Sequence, residues 1–169
     1  MVNMDTSEQL TKENAVNKTS VSLIAIFSIV CGLLAGSSQV FAAEDALKAV
    51  WSEFMHTQLI YESYVGKKDE QIANMLKLTE ERLGRTRAMY LAAGTKDTTL
   101  ESDMDDFGEA LSATKHMRLA RDASGKNNEA GAISELTLAC SHADKSKYLD
   151  PRLQETCKRF RKFGYKSFT

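Results

Sequence analysis

The residues able to do covalent or coordinate chemistry are few in this 169-residue chain, and they are scattered. Three cysteines occur, Cys31, Cys140 and Cys157. Cys31 lies inside an apolar leader, so Cys140 and Cys157 are the pair that remains if the leader is removed. Two such thiols in an oxidising compartment form a disulfide. Closing a loop of this size contributes about 3 kcal/mol in the chain-entropy account. A redox role would want the close C-x-x-C spacing that lowers a thiol pKa, and that spacing is absent. The expectation is a structural staple.

Cys140-Ser141-His142 sets a thiol beside an imidazole, both good ligands for soft and borderline metals. The haem-attachment motif C-x-x-C-H is missing. Asp103-x-Asp105-Asp106-x-Gly108 opens like a calcium loop. Phe107 at the fifth position and Thr114 at the twelfth withhold the ligands such a loop needs. These acids read instead as the early turns of a helix, where the dipole favours them. His56, His116 and His142 stand singly. No Ser-His-Asp order, paired buried carboxylates, phosphate-cradling glycine loop or H-E-x-x-H is found. The sequence therefore predicts a non-enzymatic protein, with no catalytic residue, metal or cofactor assigned.

The sharpest charge feature is the C-terminus. There Lys158, Arg159, Arg161, Lys162 and Lys166 interleave with Phe160, Phe163, Tyr165 and Phe168. Such a segment can grip an anionic membrane surface, a polyanion or an acidic protein. Its cations can equally face Glu101, Asp103, Asp105, Asp106 and Glu109 within the molecule while the rings pack. The residue types leave both readings open.

These groups need elements to position them. Leu47, Val50, Trp51, Phe54, Ile60, Tyr61 and Val65 recur at three- and four-residue steps and predict a helix over 44–65, with Gly66 at its end. A second helix is expected from about Asp69 to Ala92, with Ile72, Leu76, Leu83 and Tyr90 on one stripe, Thr79 and Thr86 interrupting it, and Gly94 as the stop. Thr98 with Glu101, or Thr99, is the expected cap of a third helix, whose inner face is Leu100, Met104, Phe107 and Leu111. After a turn at 124–128, a fourth helix is expected from Glu129 to about Lys147, with Ile133, Leu136, Cys140 and Ala143 inward. Asp150-Pro151 opens a short fifth, the carboxylate capping and the proline ring pre-set for the first turn. Its inner residues are Leu153, Cys157 and Phe160. The fold class expected is all-α, an antiparallel four-helix bundle with a short fifth C-terminal helix.

A leader precedes this domain. Lys18 is followed by the apolar run Val21 to Ala35 and then by small residues ending Val40-Phe41-Ala42-Ala43. Small side chains at the first and third positions before a cut suit signal peptidase, so residues 1–42 read as leader and cleaved signal peptide and 43–169 as a single helical domain. A membrane anchor is the rival reading, since the run and its tail approach the roughly 20 residues that cross a bilayer. Gly36, Ser37, Ser38 and Gln39 suit an extended approach to a peptidase better than the core of a lone spanning helix. Taking two of the 22 basic and three of the 23 acidic residues away with the leader leaves 20 of each. This balance disfavours a nucleic-acid binder, which would carry a basic excess.

An exported four-helix bundle of this length resembles, in topology, cytochromes of the b562 type, where a Met near the start of the first helix and a His near the end of the last hold a haem. Here Met55 lies about two turns too deep, and the last helix has no His. His142 with Met55 or His56 would be the substitute. What the resemblance implies, as an alternative, is a haem or metal carrier. The leading expectation is a periplasmic or secreted protein that binds another envelope or secreted protein, as adaptor, inhibitor, chaperone-like factor or secretion or conjugation accessory. A second alternative is an envelope-surface binder acting through Lys158 to Lys166.

Overall fold

The computed structural model describes residues 42–63 and 69–168. The leader and signal peptide expected over 1–42 lie outside the described residues except for Ala42, as does the helix end expected at Val65-Gly66. The chain divides into two compact units, Met1–Asp45 and Ala46–Thr169. Of the first, residues 42–45 are described and are helical. All contacts below lie within the second.

The described chain is all-helical. Residues 42–63 belong to α1. Then come α2 (Asp69–Ala93), α3 (Thr98–Gly125), α4 (Glu129–Ala143), α5 (Pro151–Phe163) and a 3-10 turn at Tyr165–Ser167. Among the described residues there is no strand, and no helix is long and apolar enough to cross a membrane.

The α2–α3 corner shows how local chemistry sets the chain direction. Gly94 takes φ 66°, a left-handed conformation that a residue without Cβ adopts at no steric cost, and so ends α2. Asp97 then caps α3 through Oδ1, which accepts the amides of Thr99 and Leu100, both at 3.0 Å. The cap expected at Thr98 or Thr99 is thus displaced by one or two residues. Asp97 can satisfy two free amides with one carboxylate oxygen and keep the other for Trp51, whose Nε1 donates to Oδ2 at 3.0 Å. The Tyr90 hydroxyl accepts from the Asp97 amide at 2.9 Å and donates to its carbonyl at 3.2 Å. One aspartate thereby joins α1, the end of α2 and the start of α3.

Two adjoining cores result. In the first, Phe54, Tyr61, Phe107 and Tyr148 meet edge to face, and Phe107 contacts the other three at 5.5 to 5.9 Å between ring centroids. That is the geometry the ring quadrupoles favour. Val50, Met75, Leu76, Leu83, Tyr90, Leu100, Met104 and Leu111 are its other buried members. The second core is built of small residues: Ala110, Ala113 and Ala120 of α3 against Ala139, Cys140 and Ala143 of α4, around Met117 and Leu136. Small side chains let two backbones approach closely, which explains why Ala132 and Ala139 face inward while Ile133 stands 37% exposed. The expectation that Ile133 would be an inner residue is overturned by that close approach.

Thr57, Thr79 and Thr86 are fully buried. Each hydroxyl donates to the carbonyl four residues earlier, on Glu53, Met75 and Arg82, at 2.7 to 2.9 Å. The polar interruptions of the α2 stripe are therefore satisfied within their own helix, at no cost in orphaned hydroxyls. Between helices, Glu53 takes a two-pronged contact from Arg82 at 2.8 Å, tying α1 to α2. Arg87 crosses to α3, bonding Asp105 at 2.8 Å and the Met104 carbonyl at 3.2 Å. It lies over Gly108, where a Cβ would meet its guanidinium at 3.2 Å.

Candidate functional site

The cysteines are joined. Cys140 of α4 and Cys157 of α5 form a disulfide with Cα atoms 5.4 Å apart. The turn between them is shaped by three features. Helix α4 stops at Ala143 rather than continuing to about Lys147, because the chain must leave it for Ser146 Oγ to reach the Asp106 carbonyl at 2.6 Å. The same hydroxyl accepts the Tyr148 amide at 3.1 Å. Asp150 caps α5 by accepting the Arg152 amide at 2.9 Å, with Pro151 in the first turn. One turn beyond Cys157, Arg161 donates to the Cys140 carbonyl at 3.0 Å and pairs with Asp144 at 2.6 Å. Arg161 belongs with the disulfide, as a second clasp holding α5 on α4.

The remaining C-terminal residues divide by direction. Phe160 and Phe168 pack on the second core, and the Tyr165 hydroxyl bonds Ser124 Oγ at 2.9 Å, so the terminal turn folds back on the end of α3. Phe163 is 61% exposed, with the Lys162 ammonium 5.0 Å from its ring centroid. Lys158, Arg159 and Lys162 stand exposed on α5, and none pairs with an acid among the described residues. Four of the five α3 acids that could have neutralised them are engaged elsewhere, Glu101 being the exception among the described residues. Asp103 and Asp106 meet Lys147, Asp105 meets Arg87, and Glu109 meets His142 and Lys145. Those aspartates lie within α3, so the Asp103 to Gly108 stretch is helix and not an ion-binding loop.

Beside this face opens a cavity of about 350 Å³ lined by Arg121 and Ser124 of α3, Thr156 and Arg159 of α5, and Ser167 and Phe168 of the terminal turn. Two guanidinium groups, three hydroxyls and one aromatic ring make its wall.

A second polar cluster spans α3 and α4. His116 Nδ1 donates to Glu135 Oε2 at 2.7 Å, and His142 Nδ1 donates to Glu109 Oε2 at 2.5 Å. The two imidazoles stack with planes 3° apart. The His142 bond holds the Glu109 carboxyl below the usual carboxylate range, against the pull of burial. Met55 and His56, the other sequence candidates for a haem or metal, stand exposed on α1. Among the described residues no group of three or more His, Cys, Asp or Glu side chains is arranged to hold a metal ion.

Neither the cavity nor the histidine pair is legible from the residues taken singly. Each depends on which turns of two helices face one another, and only the α3–α4 and α3–α5 registers contain that signal. No protein-family model, curated protein or solved structure matches the chain.

Proposed function

We propose that this is an exported, non-enzymatic helical protein that works by binding an acidic envelope or secreted protein through the outward face of α5. The helices form an up-down bundle with the disulfide-held α5 on its flank, and the mature chain begins at Ala43 after signal-peptide cleavage. The observation that carries the reading is the row Lys158, Arg159 and Lys162. It is exposed beside Phe163 and unneutralised by described acids, on a helix fixed by Cys140–Cys157 and by Arg161. A rigid helix presenting unpaired cations and one exposed ring attracts an acidic surface at long range and adds an apolar contact at short range. The absence of any nucleophile-and-base arrangement in the sequence supports a binding role over a chemical one.

The test uses the chain from Ala43 as wild type and as the double variant K158E/K162E, immobilised and exposed to an envelope fraction of the native host in rising salt. A partner with an acidic surface should be held by the wild type, lost from the variant and released as salt screens the charges. Equal retention by both proteins overturns the reading. Amino-terminal sequencing of the protein recovered from host cells should begin at Ala43, and an intact leader would refute the export step.

A further inference from the structure

We propose that Cys157 is the entry thiol through which a disulfide-bearing oxidant makes the Cys140–Cys157 bond while α5 stands away from α4, and that Cys140 is the resolving thiol. The inference goes beyond the binding role, since it concerns how the α5 surface is set in place and not what it holds. In the closed protein Cys140 and Cys157 are only 3% and 2% exposed. Thiol–disulfide exchange needs a third sulfur in contact with the one attacked, so an outside oxidant reaches neither cysteine there. One of the two helices has to be away, and the packing shows which. Helix α4 buries Ala132, Leu136, Ala139, Cys140 and Ala143, and the two histidine–glutamate bonds tie it to α3. The 13-residue α5 buries only Leu153 and Cys157, with Phe160 half-buried and Arg161 clasping the end of α4. A helix of that length is marginal alone, and few buried apolar contacts mark the part of a protein that opens first. When α5 opens, Cys157 leaves with it and Cys140 stays on the α3–α4 seam.

Charge separates the two thiols in the same sense. The attacking species is the thiolate, which nearby cations favour. Helix α5 carries Arg152, Lys158, Arg159, Arg161 and Lys162 against one acid, Glu155. Of these cations Asp150 occupies Arg152, and the opening of α5 frees Arg161 from Asp144. Cys140 instead lies in the last turn of α4, just before Asp144, where the helix dipole opposes a negative charge. His142 beside it is bonded to Glu109. The Cys157 thiolate attacks one sulfur of the oxidant, forming a mixed disulfide and releasing the other sulfur as a thiolate. As α5 closes, Arg161 regains Asp144 and the Cys140 carbonyl, which brings the cysteines into register. The Cys140 thiolate then attacks the Cys157 sulfur and displaces the second oxidant thiolate. Two protein thiols thus give up two protons and two electrons, and the oxidant's disulfide takes them as two thiols.

The experiment uses the chain from Ala43, which holds the whole of the second compact unit and no cysteine besides the pair. Reduced wild type is labelled briefly with iodoacetamide, an uncharged probe, and the two cysteine peptides are compared by mass. Cys157 should be labelled about tenfold faster than Cys140 in buffer. The two rates should converge in guanidinium chloride, where no packing shields Cys140 and salt screens the cations. C140S and C157S are then each exposed to hydroxyethyl disulfide, an uncharged oxidant. C140S should form its mixed disulfide about tenfold faster than C157S. Equal labelling of the wild-type cysteines in buffer, or labelling of Cys140 first, overturns the proposal without reference to a variant. A preference for Cys157 that keeps its full size in guanidinium chloride also overturns it, as a property of the neighbouring residues and not of α5 opening. Faster mixed-disulfide formation in C157S than in C140S would reverse the two roles and refute the order proposed.

Discussion

His116 and His142 lie face to face, ring planes 3° apart and centroids 5.4 Å apart, each anchored by a carboxylate from the opposite helix. His116 on α3 reaches Glu135 on α4, and His142 on α4 reaches Glu109 on α3. Moving along α3 from Glu109 to His116 matches moving back along α4 from His142 to Glu135, so the two bonds are successive rungs of one antiparallel register. The four side chains are each 23 to 30% exposed, which keeps the individual bonds weak. Replacing either histidine by alanine should lower stability by about 1 kcal/mol or less. Because the rings touch, H116A/H142A should depart from the sum of the single effects. Urea unfolding of the four proteins checks this, and strict additivity would mean that each rung acts alone.

Acid should loosen the same molecule through three carboxylates. Asp97 is held below the usual range by the Leu100 amide and next by Trp51, and Glu109 by His142. Burial pushes Asp150 upward, but the bonds from Arg152 more than reverse it. A carboxyl whose folded pKa lies below its unfolded value stabilises the protein above the unfolded value. That contribution is lost as pH falls through the folded one. Unfolding midpoints should therefore hold steady above about pH 5 and fall progressively below about pH 4, where model carboxylates titrate. D97N should flatten part of that slope. A slope of unchanged steepness in D97N would show that the Asp97 cap does not contribute.

Reduction of the disulfide should cost about 3 kcal/mol while leaving the helical spectrum in place. The first core, around Phe107, involves neither cysteine, and Arg161 still ties α5 to Cys140 and Asp144. C140S/C157S should match the reduced protein. R161A added to it should cost more than R161A in the oxidised protein, since the second clasp then acts alone. Thermal unfolding with and without reductant reads both effects.

Much of this architecture is readable in the residues, and the exceptions have physical causes. Gly94 and Asp150-Pro151 mark helix ends because their backbone requirements are local. The α3 stripe of Leu100, Met104, Phe107 and Leu111 is buried as its spacing implies. Ile133 misleads because the α3–α4 seam rewards small side chains over apolar ones. The contacts of Arg161 are not legible, because charge alone does not reveal that one turn beyond Cys157 it faces the end of α4. The cavity at Arg121 and Arg159 draws its wall from α3 and from a segment more than 30 residues later, and composition has no record of that meeting.

The buried threonines give the cleanest separation of packing from hydrogen bonding. Thr79 and Thr86 are wholly buried, and their hydroxyls bond carbonyls within α2. Those carbonyls belong to the helix ladder, so removing the hydroxyl leaves no orphaned acceptor. Thr79→Val keeps the shape and should change stability by less than about 1 kcal/mol in either direction. Phe107→Ala, in contrast, removes the ring that contacts Phe54, Tyr61 and Tyr148, and should cost about 3 to 5 kcal/mol. Measured together by urea unfolding, the two variants rank the core. If Thr79→Val proved as damaging as Phe107→Ala, the hydroxyl would have to be bonded to more than the Met75 carbonyl, and the satisfied-in-helix account of the α2 stripe would fail.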